Sequence, residues 1–114
     1  MTISTGSANR GGFHMTFSNG WTISVQNGPG LYNDNRDKSF TAPSPSEGWE
    51  SSNAEVAIWQ KGEDMIRLRN DENVLGWTSP DLIGKLMGYL SKSTASEAKI
   101  VRAGVMRIIR AAGR

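Results

Sequence analysis

The side chains that commonly carry acid–base or nucleophilic chemistry are few in this sequence. The chain has one histidine and no cysteine, which excludes disulfides, thiolate nucleophiles and cysteine-based zinc sites. The histidine, His14, follows a segment of Ser, Thr, Asn and Gly and lies near no serine or acidic signature, so a catalytic triad would need an unconventional base. We therefore expect His14 to lie on a surface strand, and we predict no catalytic residues and no enzyme activity.

The carboxylates occur in pairs that do not indicate catalysis or metal binding. The pairs at positions 47 and 50, 63 and 64, and 71 and 72 lie in segments of loop or turn composition, where nothing would desolvate one carboxyl group as glycoside hydrolysis requires. Asn33, Asn35 and Asp37 recur at alternate positions, as in a calcium-binding loop. The sixth position of that loop is Lys38 in place of glycine, and the twelfth is Ser44 in place of a bidentate Glu. We predict no metal site and no cofactor.

The Gly-Pro-Gly segment around Pro29 opens a long polar stretch, residues 31–52. Its glycines could bring backbone close to a phosphate, but Pro29 lacks an N–H and no helix start follows, so we interpret the segment as a strand terminator. Tyr32, Arg36 and Trp49 lie in this stretch, and aromatic and Arg side chains are common anchors of binding surfaces. We predict that these three residues bind a partner, with a nucleotide-like ligand as an alternative.

Positive charge is concentrated in residues 97–114, which carry five of the thirteen Lys and Arg residues and one of the eleven Asp and Glu residues. Because apolar residues recur there at helical spacing, the segment is predicted to form a basic amphipathic helix. Its basic face could contact the phosphates of a nucleic acid; a solvated face, and docking onto a partner protein or a second copy of the chain, are the alternatives. The basic face consists of Lys99, Arg102, Arg107, Arg110 and Arg114.

These candidate residues must be positioned by a hairpin and a loop in the first half of the chain. Residues 1–12 have a composition that cannot bury enough apolar area to offset the entropy of ordering, and they are predicted to form a flexible arm. Apolar residues then alternate over 13–26 on either side of Asn19-Gly20, the dipeptide typical of a tight hairpin turn. A long loop follows, and it carries Tyr32, Arg36 and Trp49.

The middle of the chain predicts a second hairpin. Residues 54–60 and 65–69 alternate in polarity and are separated by a turn of sequence KGED, so they are expected to pair. Residues 74–77, of sequence VLGW, are expected to form a short edge strand. Among the tryptophans, Trp21 and Trp59 are expected in the core and Trp77 over the sheet edge, whereas Trp49 is expected to be exposed.

Two helices complete the predicted elements. The first covers 79–92, with Ser79 as N-cap and Pro80 at the first helical position. The second covers 94–112 and opens with a Thr94–Glu97 capping box. The predicted fold is a small α+β domain with a mainly antiparallel four- or five-stranded sheet, one packed helix and a C-terminal basic amphipathic helix. The predicted boundaries are an arm at 1–12, the domain at 13–92 and the basic helix at 93–114.

The segments FSNGWTISVQNGPGLY, EVAIWQ and VLGWTSPDLIGKL together resemble a group of small, mostly uncharacterised proteins encoded by bacteriophages and prophages. The resemblance runs from about Met15 to Ser91 and implies a small α+β domain of phage origin, without an activity. Proteins of this group typically begin at the position of Met15 and stop near the end of the first helix. The first fourteen residues are therefore expected to be an added arm, with Met15 as an internal start as the alternative, and the basic helix is expected to be an extension in this chain.

The expected function is that of a non-catalytic phage accessory protein that binds a host or phage protein, with inhibition of a bacterial defence system as one instance. The alternatives are a nucleic-acid-binding protein that uses residues 97–114, a small virion component, and a nucleotide binder. No apolar run in the sequence approaches the length of a membrane span, and the first residues lack the apolar core of a signal peptide. We therefore expect the protein in the host cytoplasm and not at a membrane.

Overall fold

The structure, a computed structural model, describes residues 2–5, 11–28, 30–37 and 50–114. The predictions for Trp49, Pro29, Lys38 and Ser44 concern residues outside those ranges. Five strands form one open antiparallel sheet in the order β1-β2-β3-β4-β5, and two helices follow, which confirms the predicted α+β fold. The elements are β1 (Thr2–Thr5), β2 (Gly11–Thr16), β3 (Trp21–Asn27), β4 (Ala54–Gln60), β5 (Leu75–Thr78), α1 (Pro80–Lys92) and α2 (Ala98–Ala111).

The first predicted hairpin is present as β2 and β3. The two strands pair from Gly11 opposite Asn27 to Thr16 opposite Thr22, and the turn between them contains Asn19-Gly20, with Gly20 at φ 89°. Because glycine has no Cβ, it adopts this left-handed conformation without steric cost. The hairpin therefore forms as its alternating pattern and turn dipeptide predict.

Strand β1 lies where the sequence predicts a flexible arm. Thr2–Thr5 pairs with the free edge of β2, with Ile3 opposite Met15, and β2 itself begins at Gly11, two residues before the predicted start. Burial of apolar side chains alone would not order this segment, whereas its pairing with β2 is made by backbone hydrogen bonds along an existing strand. Residues with β-branched side chains, such as Thr2 and Ile3, suit such an edge.

The predicted second hairpin is wrong in its second strand. Met65 forms only an isolated bridge with Trp59, the Ile66 N–H donates to the Ile58 carbonyl at 2.8 Å, and the chain then leaves the sheet. A 3₁₀ turn follows at Arg69–Asp71. The strand that pairs with β4 is instead β5, which confirms the predicted edge strand; Ala54 lies opposite Thr78 and Val56 opposite Leu75. Ile66 and Leu68 are buried, so apolar burial is achieved there without strand pairing.

Helix α1 begins as predicted, and α2 does not. The Ser79 hydroxyl accepts a hydrogen bond from the Leu82 N–H. In contrast, α2 has Glu97 as its N-cap and no side-chain cap, so the predicted Thr94–Glu97 capping box is wrong. The preceding residues are held differently: the indole N–H of Trp21 donates to the Ala95 carbonyl at 2.8 Å. The first hairpin thereby fixes the connection between the helices, and α2 begins four residues later than predicted.

Both helices pack on one face of the sheet around a single hydrophobic cluster. Three leucines of α1 contribute to it, and α2 contributes Val101, Val105 and Ile109. Residues 93–114, which the sequence analysis treats as a separate segment, thus share the core of the sheet and α1. Trp21 is part of this core, but Trp59 alternates with the buried Ile58 and lies half-buried on the opposite face. Within the described ranges, neither helix is long and apolar enough to span a membrane.

Candidate binding site

Tyr32 and Arg36, two of the three predicted binding residues, come together with Trp77. The rings of Tyr32 and Trp77 stack with centroids 5.6 Å apart at 20°, and the guanidinium carbon of Arg36 lies 5.4 Å from the Tyr32 ring centroid. The exposed fractions are 37% for Tyr32 and 49% for Trp77. We call Arg36, Tyr32 and Trp77 the aromatic stack. The third predicted residue, Trp49, lies outside the described ranges.

Asn33 organises the loop that carries Tyr32. Its side chain, only 1% exposed, accepts hydrogen bonds from the backbone N–H groups of Gly28 and Asn35, and it donates to the carbonyls of Gly28 and Leu31 at 3.0 and 2.9 Å. The alternating Asn pattern does not fit a calcium loop, and Asn33 instead bonds backbone groups of its own loop. A buried amide with all these partners holds the backbone on both sides of Tyr32 in one conformation.

Trp77 is held in an unusual backbone conformation at the end of β5. Its φ of 48° is in the left-handed region, which costs a bulky residue about 1–3 kcal/mol. Its N–H donates to the Tyr32 carbonyl at 2.7 Å. The guanidinium of Arg114 donates to the Trp77 and Gly76 carbonyls at 3.1 and 2.8 Å. Backbone hydrogen bonds on both sides of the residue therefore keep the indole ring against Tyr32 and exposed.

Gly76 makes the stack sterically possible. A Cβ atom at this position would lie 2.5 Å from the Cβ of Tyr32, well inside van der Waals contact. From its position in the sequence, Trp77 is predicted only to cover the sheet edge, and no role is predicted for Gly76. The one sequence signal for Gly76 and Trp77 is the GW dipeptide in a short strand before a helix cap. That signal does not show that Tyr32 contacts them.

A pocket of about 260 Å³ lies beside the aromatic stack. Its wall includes the 3₁₀ turn, where Asn70 and Asp71 have φ angles of 57° and 60°. Together with Trp77, these are the three positive-φ residues other than glycine in the described ranges, and all three lie at or next to this pocket. Strained backbone clusters at functional sites more often than elsewhere. The lining residues are Tyr32, Arg69, Asn70, Glu72, Val74, Leu75, Gly76, Trp77 and Arg114.

Two residues of the predicted basic face donate hydrogen bonds to neighbouring backbone carbonyls. The Nε of Arg102 donates to the Arg67 carbonyl at 2.6 Å, and Arg114 lies beyond the end of α2, bound to β5. Lys99, Arg107 and Arg110 are exposed on the helix. Two of the five cations are thus used to attach α2 and its C-terminal residue to neighbouring backbone.

His14 lies on the face of the sheet opposite the helices. Its ring contacts Trp59 edge-on at 5.2 Å between centroids, and its Nε2 lies 3.1 Å from the Gln26 amide nitrogen. These partners supply neither a carboxylate to orient the ring nor a nucleophile to activate. Among the described residues, no three His, Cys, Asp or Glu side chains are grouped closely enough to hold a metal ion.

No protein-family model, curated protein or solved structure matches this chain. The resemblance to phage-encoded proteins therefore stays a prediction.

Proposed function

We propose that this protein is a non-catalytic bacteriophage accessory protein that acts by binding a protein partner at the aromatic stack. The observation that carries the proposal is the exposed, rigidly held set of Trp77, Tyr32 and Arg36. Trp, Tyr and Arg are the residues most enriched among those that dominate the energy of protein interfaces. Because the stack is ordered before binding, less conformational entropy is lost on association.

The charges around the stack favour a protein partner over a nucleic acid. Asp37 lies 3.8 Å from the Arg36 guanidinium, and the Glu55 carboxylate accepts the Tyr32 N–H at 2.9 Å. A phosphate backbone brings one negative charge per nucleotide and would meet these carboxylates. A protein surface carries both signs of charge and avoids that repulsion. The phage setting comes from the sequence resemblance and puts the partner in the host cytoplasm; a protein of a bacterial defence system is one instance.

The proposal is tested by affinity capture from host or infected-cell lysate, followed by mass spectrometry. Trp77→Ala and Tyr32→Ala are compared with the unmodified protein, and Ile100→Ala is the control because Ile100 is 52% exposed and lies on α2, outside the stack. We expect both stack variants to lose the captured protein and the control to retain it. With the purified partner, each stack variant should weaken binding by about 2 kcal/mol or more, roughly 30-fold, as for residues that dominate an interface.

Circular dichroism and thermal unfolding of each variant show whether the fold is retained. A folded stack variant that still captures the partner as well as the unmodified protein contradicts the proposal.

A further inference from the structure

Four arginines lie on or next to α2, the 3₁₀ turn and the pocket beside the aromatic stack. The Nε of Arg102 donates to the Arg67 carbonyl at 2.6 Å, and the next arginine along the chain, Arg69, lines the same pocket as Arg114 and Trp77. We call Arg67, Arg69, Arg102 and Arg114 the arginine seam. The seam joins the C-terminal helix to the stack through residues that are distant in sequence.

The arginine seam carries more positive charge than its neighbours neutralise. Among the described residues, Asp71 lies 3.8 Å from Arg67, and Glu72 is the one carboxylate that lines the pocket. No described residue forms a hydrogen bond or ion pair with the Arg69 guanidinium, which is exposed. Arg114 uses two N–H groups on backbone carbonyls, and a guanidinium has five. The seam therefore has free cationic donors next to an exposed indole.

We propose that the partner contacts this surface with an acidic segment of polypeptide. Carboxylates of the segment pair with Arg69 and Arg114, and an apolar or aromatic side chain lies against Trp77. This inference rests on the proposed function and adds the chemistry of the partner. Arginine favours carboxylates because its planar guanidinium binds them through two parallel hydrogen bonds. The pocket of about 260 Å³ beside the aromatic stack has room for one side chain of the acidic segment.

A polypeptide suits the seam better than a nucleic acid does. Asp71 lies 3.8 Å from Arg67, and Glu72 lines the same pocket as Arg69 and Arg114, so evenly spaced phosphates would meet negative charge at these points. A peptide can place its carboxylates opposite the arginines and neutral residues opposite the acids. Single-stranded nucleic acid, which also combines stacking with cationic contacts, is therefore the competing ligand that the experiment must distinguish.

The test uses fluorescence anisotropy with three labelled probes: a 12-residue peptide of Ser and Ala with one pair of Glu residues on each side of a central Phe, the same peptide with Lys in place of Glu, and a 12-nucleotide oligo-dT. At 50 mM salt we expect the Glu peptide to bind at least tenfold more tightly than the Lys peptide and the oligonucleotide. Arg69→Glu should weaken that binding at least tenfold, and so should 500 mM salt, because screening reduces charge pairing. Arg69 is exposed and unpaired among the described residues, so the variant should fold.

Lys85→Glu is the matched control, because it makes the same change of charge at an exposed residue elsewhere. Lys85 lines a groove with Ile108, which lies about 120° around α2 from Arg102 at 100° per residue. We expect its peptide affinity to stay within twofold of the unmodified protein. Equal losses in both variants, equal binding of the Glu and Lys peptides, or tighter binding of oligo-dT would each overturn the inference.

Lysate capture separates this inference from the proposed function. Capture that is lost in both Trp77→Ala and Arg69→Glu, and kept in Lys85→Glu, supports both. If Trp77→Ala loses the partner while Arg69→Glu keeps it, protein binding at the stack stands and the acidic segment is refuted. If neither variant loses the partner, both proposals are refuted.

Discussion

Replacing Gly76 with alanine puts a methyl group where Tyr32 already lies. The added Cβ would be 2.5 Å from the Tyr32 Cβ, an atom attached directly to backbone that cannot swing aside as the end of a long side chain can. The Tyr32 carbonyl is held by the Trp77 N–H at 2.7 Å. Gly76 has no positive φ of the kind seen at six other glycines in the described part of the chain, so Gly76→Ala tests close approach and not backbone freedom.

The expected cost of Gly76→Ala follows from two terms. Normal contact requires Tyr32 and β5 to separate by about 1 Å, and overpacking of this kind typically costs about 1–3 kcal/mol. The separation also weakens the ring pair of Tyr32 and Trp77, which is worth about 0.5–1.5 kcal/mol beyond its buried area. We therefore expect the free energy of unfolding to fall by about 1.5–4.5 kcal/mol, and we expect partner binding to weaken with it.

The assay is urea unfolding followed by circular dichroism, with Gly84→Ala as the control. Gly84 lies within α1, and a Cβ there would meet nothing within 4 Å. Alanine in place of a helical glycine should raise the free energy of unfolding by about 0.5–1 kcal/mol. The two identical substitutions should thus have opposite signs. A Gly76→Ala variant within about 0.5 kcal/mol of the unmodified protein, the usual range for a surface substitution without special contacts, with its near-UV spectrum unchanged, would refute the steric reasoning.

Two further substitutions test the contacts that attach the helices. Asn19→Ala removes hydrogen bonds from the Asn19 amide to the Leu90 and Ser93 carbonyls at 2.7 and 2.9 Å. It should lower the free energy of unfolding by about 1–3 kcal/mol, whereas Asn73→Ala, at an exposed position, should change it by less than about 0.5 kcal/mol in the same urea titration. Ile109→Ala should lower the free energy of unfolding by about 2–5 kcal/mol, because Ile109 is 0% exposed in the core. Ile100→Ala, the control, should leave the free energy of unfolding nearly unchanged. Equal effects of the two substitutions would mean that α2 does not belong to the core.

Local signals predicted the elements that depend on nearby residues. The alternation around Asn19-Gly20 predicted β2 and β3, and the Ser79-Pro80 start predicted α1, because in both cases the deciding hydrogen bonds join residues a few positions apart. The predictions that were wrong concern segments whose hydrogen bonds join residues far apart in the sequence. The predicted Thr94–Glu97 capping box does not form, and the segment is held instead by a hydrogen bond from the Trp21 indole to the Ala95 carbonyl. These two residues are 74 positions apart, and a single sequence does not show that they meet.

The candidate site was only half predictable for the same reason. The loop composition identified Tyr32 and Arg36, since polar loops with aromatic and Arg residues commonly bind partners. Trp77 is 45 positions after Tyr32 in the sequence. It reaches Tyr32 because β5 pairs with β4 and because Gly76 has no side chain to block the approach of Tyr32. Similarly, α2 is the helix that its apolar spacing predicts, but the pattern did not predict what two residues of the basic face contact. Arg102 and Arg114 are directed by carbonyls of residues 67, 76 and 77, which the helical period cannot show.

Asn33→Asp tests whether the loop itself positions the aromatic stack. The carboxylate keeps the oxygen that accepts from the Gly28 and Asn35 N–H groups. It replaces the donor to the Gly28 and Leu31 carbonyls with an acceptor, so oxygens would face each other without a proton between them. We expect a loss of about 2–4 kcal/mol in the free energy of unfolding at pH 8, the range for unsatisfied buried polar groups.

The loss should depend on pH with a definite sign. Burial against carbonyls raises the pKa of the introduced carboxyl group above that of an unfolded Asp, near 3.9. A protonated carboxyl can donate again, so the deficit relative to the unmodified protein should shrink as the pH falls from 8 toward 4. Asn33→Ala is the control, since it has no titrating group and its deficit should not change with pH. A deficit of Asn33→Asp that is constant from pH 8 to pH 4 would show that the Asn33 donor does not hold the Tyr32 loop.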